Sequence, residues 1–232
     1  MKKTRKAAAV LTAVAMAAVS AAPVMADEIK DLYDYETQAR EVETWNILHS
    51  QNAADLNVLT NLYDGLVEAD EYGKVVPAIA ESWETEDNGI TWTFHLREGV
   101  KWVDQNGNEK GEVTAQDFLT GLEWILNFHK NDAANTSMPM EMIVGAEDYY
   151  NMTSELDADA GFALTAESPE FADTVGIKAI DDYTLQYTCV SEKPYFDTLG
   201  VKLLYPISQG MIDEIGVDGF KAATPENIWY NG

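Results

Sequence analysis

The chain has one cysteine, Cys189, in 232 residues. No internal disulfide can form. Cys189 sits in an apolar, alternating stretch and reads as a buried, inert thiol. Histidine is also scarce. His49, His95 and His129 are far apart, and no H-x-x-x-H pair exists, so a zinc site lacks its ligands. Cations are few: 15 Lys and Arg stand against 40 Asp and Glu, for a net charge of −25. Such a surface repels phosphate backbones, which excludes nucleic acid as a partner. There is no G-x-S-x-G elbow and no G-x-x-x-x-G-K phosphate loop. Asp157, Asp159 and Gly161 imitate a calcium loop, but the glycine is misplaced and Ser168 stands where the closing Glu belongs. With this many carboxylates some acidic pair is inevitable, and Asp181-Asp182 reads as a turn rather than an acid/base couple.

Long apolar runs are confined to the N-terminus. Lys2, Lys3, Arg5 and Lys6 precede an uncharged run from Ala7 to Val19, and Val24-Met25-Ala26 supplies small residues for cleavage. Thirteen helical residues would rise about 20 Å, short of the ~30 Å hydrocarbon core. Residues 1–26 therefore read as a secretory signal peptide.

Hydrophobic residues make up 46% of the chain, enough for a folded globular protein. Val42 to Leu48 reads as a strand. Asp55 is placed to cap a helix with apolar Leu56, Leu59, Leu62 and Tyr63, ended by Gly65. Glu81 to Leu96 reads as a hairpin around Asp87-Asn88-Gly89, with Trp92, Phe94 and Leu96 on one face. Lys101 to Asp104 is expected to continue that sheet, with a turn at Asn106-Gly107. Thr114 to Lys130 reads as an amphipathic helix with a Thr114/Asp117 capping box. Asn131 to Phe171 is the least patterned part; its Met138, Met140 and Met142 read as core filler. A second hairpin turns at Asp181-Asp182 between Ile177-Ala179 and Leu185-Tyr187-Cys189. Leu203 to Pro206 is an apolar stretch, and Met211 to Phe220 reads as a helix.

The order of these pieces carries a resemblance. Asn61 to Asp117 reads N-L-Y-D-G-L-V-E-A-D-E-Y-G-K-V-V-P-A-I-A-E-S-W-E-T-E-D-N-G-I-T-W-T-F-H-L-R-E-G-V-K-W, then, after a gap, V-T-A-Q-D-F. Asp173 to Phe196 reads D-T-V-G-I-K-A-I-D-D-Y-T-L-Q-Y-T-C-V-S-E-K-P-Y-F. Together they resemble the family 5 extracellular solute-binding proteins, the oligopeptide- and dipeptide-binding receptors of bacterial ABC importers.

That resemblance implies an α/β, periplasmic-binding-protein-like fold of type II with an extra domain: a two-lobed clamshell, of which lobe one and the extra domain are present. Residues 27–67 and 175–232 would belong to lobe one, 68–174 to the inserted extra domain, and the second lobe would lie beyond Gly232. The implied function is capture of short peptides and their delivery to ABC permease subunits, by a monomer with no cofactor and no catalytic or metal residues. A receptor of the same fold for a nickel chelate, haem or oligosaccharide is the alternative. The resemblance places the ligand against Ser50, Gln51, Asn52 and Ala53, and against Asn231 and Gly232. Asn135 to Met138 matches a part of the extra domain that can touch the ligand. Asp27 stands where many relatives carry a lipid-modified cysteine, so the expected product is exported, periplasmic or extracellular, without a lipid anchor.

Overall fold

A computed structural model describes residues 41–50, 52–130, 136–201 and 204–232. The expected leader at 1–26, Asp27, Gln51 and Asn135 lie outside the described residues.

Residues 42–48 do not form the expected strand; they make turns. Asn46 is the cause. Its Oδ1 accepts from the Leu48 amide at 3.0 Å, and its own carbonyl accepts from His49 and Ser50. A side chain that satisfies nearby backbone groups competes with a strand ladder. Helix α1 then spans Ala53–Leu59. Its cap is Asn52, not Asp55: Asn52 has extended backbone and Oδ1 accepts from the Asp55 amide at 2.9 Å. The helix ends before Leu62, and Gly65 lies beyond it. Gly65 is required by a close crossing instead, since a Cβ there would sit 2.5 Å from the Gly200 carbonyl oxygen.

Strands β1 (Val67–Ala69) and β2 (Val75–Pro77) form a hairpin. β3 (Ala80–Glu84) and β4 (Thr91–Leu96) form the next, with Asn88 and Gly89 at φ 57° and 89° in the turn, as their types permit. After β5 (Lys101–Val103) and β6 (Glu109–Glu112), the chain returns with β7 (Ile177–Asp181) and β8 (Thr184–Thr188). The main sheet is antiparallel, in the order β3-β4-β8-β7. It pairs Trp83 with Phe94 and Phe94 with Leu185. β5 does not continue this sheet as expected. Gly99, at φ 81°, lies in the turn before it, and β5 pairs with β6 in a separate two-stranded sheet. On its other side Val103 exchanges two backbone hydrogen bonds with Tyr230, at 2.8 and 2.9 Å.

Helix α2 covers Ala115–Leu126. The expected cap is present: the Thr114 amide donates to Asp117 Oδ2 at 2.9 Å. The expected stripe residues Phe118, Leu122, Ile125 and Leu126 are buried, but so is nearly all the rest of the helix, which stops before His129. The unpatterned stretch contains four short helices: α3 (Ser137–Met142), α4 (Ala146–Ser154), α5 (Ala158–Ala163) and α6 (Pro169–Ala172). They pack through polar anchors from α2 and the turn after it. Asn127 Nδ2 donates to Gly161 O at 2.8 Å, and Lys130 Nζ donates to Leu164 O and to Glu123 Oε2. Helix α7 (Gln209–Lys221) follows the buried run 204–208 and is broken at Gly216, where φ is 76°.

One aromatic group forms the centre of the core. Trp92, Phe94, Tyr187 and Phe196 are each at most 5% exposed and lie with neighbouring ring centroids 5.2–6.4 Å apart. The bulky face of β4 is thus core, as its alternation predicts. Among the described residues no helix is long and apolar enough to cross a membrane.

Candidate functional site

The first expected tract begins at the N-terminal end of α1, and a buried carboxylate holds it. Asp55 is fully buried. Its Oδ1 accepts from the Glu43 amide at 2.9 Å; its Oδ2 accepts from Asn52 Nδ2 at 2.9 Å and from the Ser50 hydroxyl at 3.4 Å. Ser50 is buried and Asn52 is half-buried, while Ala53 is exposed. Asn52 also reaches Glu43 Oε2 at 3.3 Å. The side chains of Ser50 and Asn52 are therefore committed within the protein. Asp55 thus organises the tract instead of capping the helix. The signal was available, since an Asn three residues before an Asp is itself a capping pattern.

The second tract is tied to the loop after the same helix. Asn231 Oδ1 accepts from the Asp64 amide at 3.2 Å, and Nδ2 donates to the Asp64 carbonyl at 3.2 Å. The backbone amides of Asn231 and Gly232 both donate to Leu62 O. A Cβ on Gly232 would meet Leu62, Tyr63 and Asp64 at 3.1–3.2 Å, a tight approach. Beneath this loop the Tyr63 phenol is buried without a hydrogen-bond partner, and burial beside Tyr230 holds its proton firmly in place. The first expected tract thus leads into α1, and the second is bound to the loop that follows it. The third expected region is represented by Met138. With Pro139, Met142, Ile143, Phe196, Leu199 and Leu204 it lines a small apolar pocket.

Elsewhere the main sheet carries a polar cleft of about 350 Å³, lined by Glu84, Thr85, Glu86, Asp87, Thr91, Thr93 and Gln186. Asp87 is occupied by its turn. The amides of Thr91 and Ile90 and the Thr85 hydroxyl donate to it, and these bonds hold its carboxyl below the usual range. Cys189 is buried, and desolvation pushes its thiol up to about 11, so it carries no thiolate at neutral pH. Among the described residues no three His, Cys, Asp or Glu side chains gather as a metal site.

The family pattern of the bacterial extracellular solute-binding proteins, family 5 (middle region), matches residues 74–232. The chain belongs to this family. It is 34% identical to the oligopeptide-binding protein AliB of Streptococcus pneumoniae serotype 4 over 201 residues, which are 86% of this chain and 28% of AliB. It is 33% identical to the periplasmic oligopeptide-binding protein OppA of Salmonella typhimurium over 238 aligned positions, covering all of this chain and 39% of that one. Among solved structures, the substrate-binding domain of an oligopeptide ABC transporter from Bacillus anthracis superposes with a TM-score of 0.67 at 27% identity. That match covers 85% of this chain and 33% of the other. The chain thus has the mixed α/β fold of the OppA-type binding proteins and spans between 28% and 39% of the length of these relatives.

Proposed function

We propose that this chain belongs to the substrate-binding component of an ABC importer, one that captures oligopeptides outside the cytoplasmic membrane and hands them to permease subunits. The observation that carries the reading is the 34% identity to AliB, a protein named for oligopeptide binding, across 86% of the chain.

The site's chemistry supports a backbone-reading receptor. Ser50, Asn52 and Asn231 have their side chains engaged internally. A ligand at the two tracts would then be met through main-chain groups that these internal bonds leave open, the amides of Asn231 and Gly232 being already given to Leu62 O. A peptide lying along such a rim would be held by strand-like hydrogen bonds, which every peptide sequence can supply. Closure of a second lobe over it would complete the clamshell.

On this reading, residues 27–67 and 175–232 belong to lobe one and 68–174 to an inserted domain. The main sheet argues for a wider insertion, because β7 and β8 pair with β4 and lie on the far side of residue 174. A domain built on that sheet needs residues 175–188 as well. The protein acts as a non-enzymatic, monomeric receptor, exported by the leader at 1–26 and not lipid-anchored.

The full product of the gene, purified and stripped of ligand, tests this. Calorimetry with a mixed pool of tri- to pentapeptides, followed by mass analysis of what is retained, should find intact peptides. Cleaved peptides, or capture of a nickel chelate, haem or oligosaccharide with indifference to every peptide, would overturn it.

A further inference from the structure

Glycine follows asparagine three times in the chain, at Asn88-Gly89, Asn106-Gly107 and Asn231-Gly232. Such a pair carries a latent reaction. With no side chain beside it, the glycine nitrogen can approach the asparagine Cγ closely and close a cyclic imide. The fold decides where this happens, because it treats the three pairs differently.

Asn231 is 7% exposed, and its Oδ1 and Nδ2 are both bonded to Asp64. The Gly232 amide donates to Leu62 O at 3.1 Å. Asn88 is exposed but held. Its Nδ2 donates to Glu192 Oε1 at 3.5 Å, and the Gly89 amide donates to Thr85 Oγ1 at 2.9 Å. Gly89 is buried, and a Cβ there would lie 2.4 Å from the Lys193 carbonyl oxygen, which leaves little room for the backbone rotation that ring closure needs. Asn106 lies at the tip of the β5–β6 hairpin, where residues 105–109 are all exposed. Its backbone amide donates to Asp104 Oδ1 at 2.9 Å, but its side chain has no partner among the described residues. Nothing stands within 4 Å of where a Cβ on Gly107 would be. The Gly107 amide donates to Asp104 O at 2.9 Å, a bond within a hairpin tip, and exposed tips open locally at little cost in free energy.

We propose that Asn106 is a site of spontaneous modification, and that Asn88 and Asn231 are spared. The Gly107 nitrogen bonds to Cγ of Asn106, the bond from Cγ to Nδ2 breaks, and ammonia leaves with the proton that the glycine nitrogen gives up. Water, the one co-reactant, then opens the imide at either carbonyl. One opening gives aspartate. The other gives isoaspartate, in which the main chain runs through the former side chain. Both products disturb the hairpin. A new carboxylate arises two residues from Asp104, whose own carboxylate accepts from the amides of Asn106 and Asn108. In isoaspartate the added methylene falls between those two donors.

The test is timed incubation of the full product of the gene in warm, mildly alkaline buffer, with peptide mapping that separates asparagine, aspartate and isoaspartate. In the native protein Asn106 should be lost at least about tenfold faster than Asn88 or Asn231, since each of those must first break hydrogen bonds of ordinary strength. Isoaspartate should accompany aspartate at position 106. In urea strong enough to unfold the protein the three rates should converge, because the fold and not the dipeptide sets their order. Asn106→Gln should suppress the loss, since glutamine would have to close a larger ring. Native rates that are equal, or fastest at Asn88 or Asn231, overturn the proposal. So does a product that is aspartate alone, or a loss that persists unchanged in the variant. Should the variant not fold, the three wild-type rates decide.

Discussion

Asn231 and Asp64 are joined by a reciprocal pair of hydrogen bonds: the Asn231 amide oxygen accepts from the Asp64 N–H, and its amide nitrogen donates to the Asp64 carbonyl, both at 3.2 Å. The two residues are 167 positions apart, so one side chain stitches the loop after α1 to the strand-like segment beside β5. A side-chain amide accepts through its oxygen and donates through its nitrogen, so this one residue serves both backbone groups of Asp64.

Asn231→Ala removes both bonds and leaves two backbone groups of Asp64 to find water. The expected loss is about 1–2 kcal/mol in chemical denaturation. Hydrogen exchange at the Asp64 amide should accelerate out of proportion to that global change. An unchanged exchange rate at Asp64 would show that the pairing is not formed in solution.

Asp117 gives the chain a stability component of unusual sign. Burial in the capping box, only partly offset by hydrogen bonds from Thr114 and Trp102, pushes its carboxyl up to about 6 from 3.8. The folded state thus binds this proton more tightly than the unfolded state does. The contribution is fully present below the ordinary carboxylate value and is lost as pH rises through about 6. The stability of the wild type minus that of Asp117→Asn should fall by roughly 2 kcal/mol between about pH 4 and about pH 7. Taking the difference cancels carboxylates such as Asp104 and Asp181, whose hydrogen bonds lower them. Parallel pH profiles for the two proteins would refute the assignment.

Lys130 and Glu123 form a buried ion pair at 2.8 Å, with each side chain at most 5% exposed. Lys130→Met leaves the carboxylate buried with only the Tyr149 and Asn127 donors, and should cost about 3–5 kcal/mol. Adding Glu123→Gln removes the stranded charge, so the double variant should be more stable than Lys130→Met alone. Urea unfolding of the three proteins checks both statements. A double variant weaker than the single one would contradict the account.

The parts of this fold that were legible in the sequence are those fixed by neighbours in the chain. Asp87-Asn88-Gly89 specifies its own positive-φ turn, and Thr114 with Asp117 specifies its own helix start. The helices between Ser137 and Ala172 were not legible. They are four to nine residues long, too short to be stable alone, and distant groups hold them in place. Thr153 caps the Phe128 amide, and Asn127 and Lys130 reach Gly161 and Leu164. No local pattern encodes those partners. In the candidate site, position relative to α1 was legible, but the internal commitments of Ser50, Asn52 and Asn231 were not. Asp55 reads locally as a cap, and only the fold brings Glu43 and Ser50 onto its carboxylate.

Gly121 gives a prediction opposed to helix propensity. In the interior of a helix, Gly to Ala ordinarily stabilises by up to about 1 kcal/mol. Gly121 lies inside α2, where the run 204–208 crosses it, and a Cβ there would sit 2.3 Å from the Tyr205 carbonyl oxygen. Backbone on both sides leaves neither partner a flexible end to move. Gly121→Ala should therefore destabilise, by about 1–3 kcal/mol as overpacking does. It should also loosen the Ile207 amide from the Asp117 carbonyl, which it meets at 2.9 Å across the same crossing. Thermal unfolding together with exchange at the Ile207 amide reads both effects. A variant that melted higher than the wild type would mean that the segment does not lie on α2 as described.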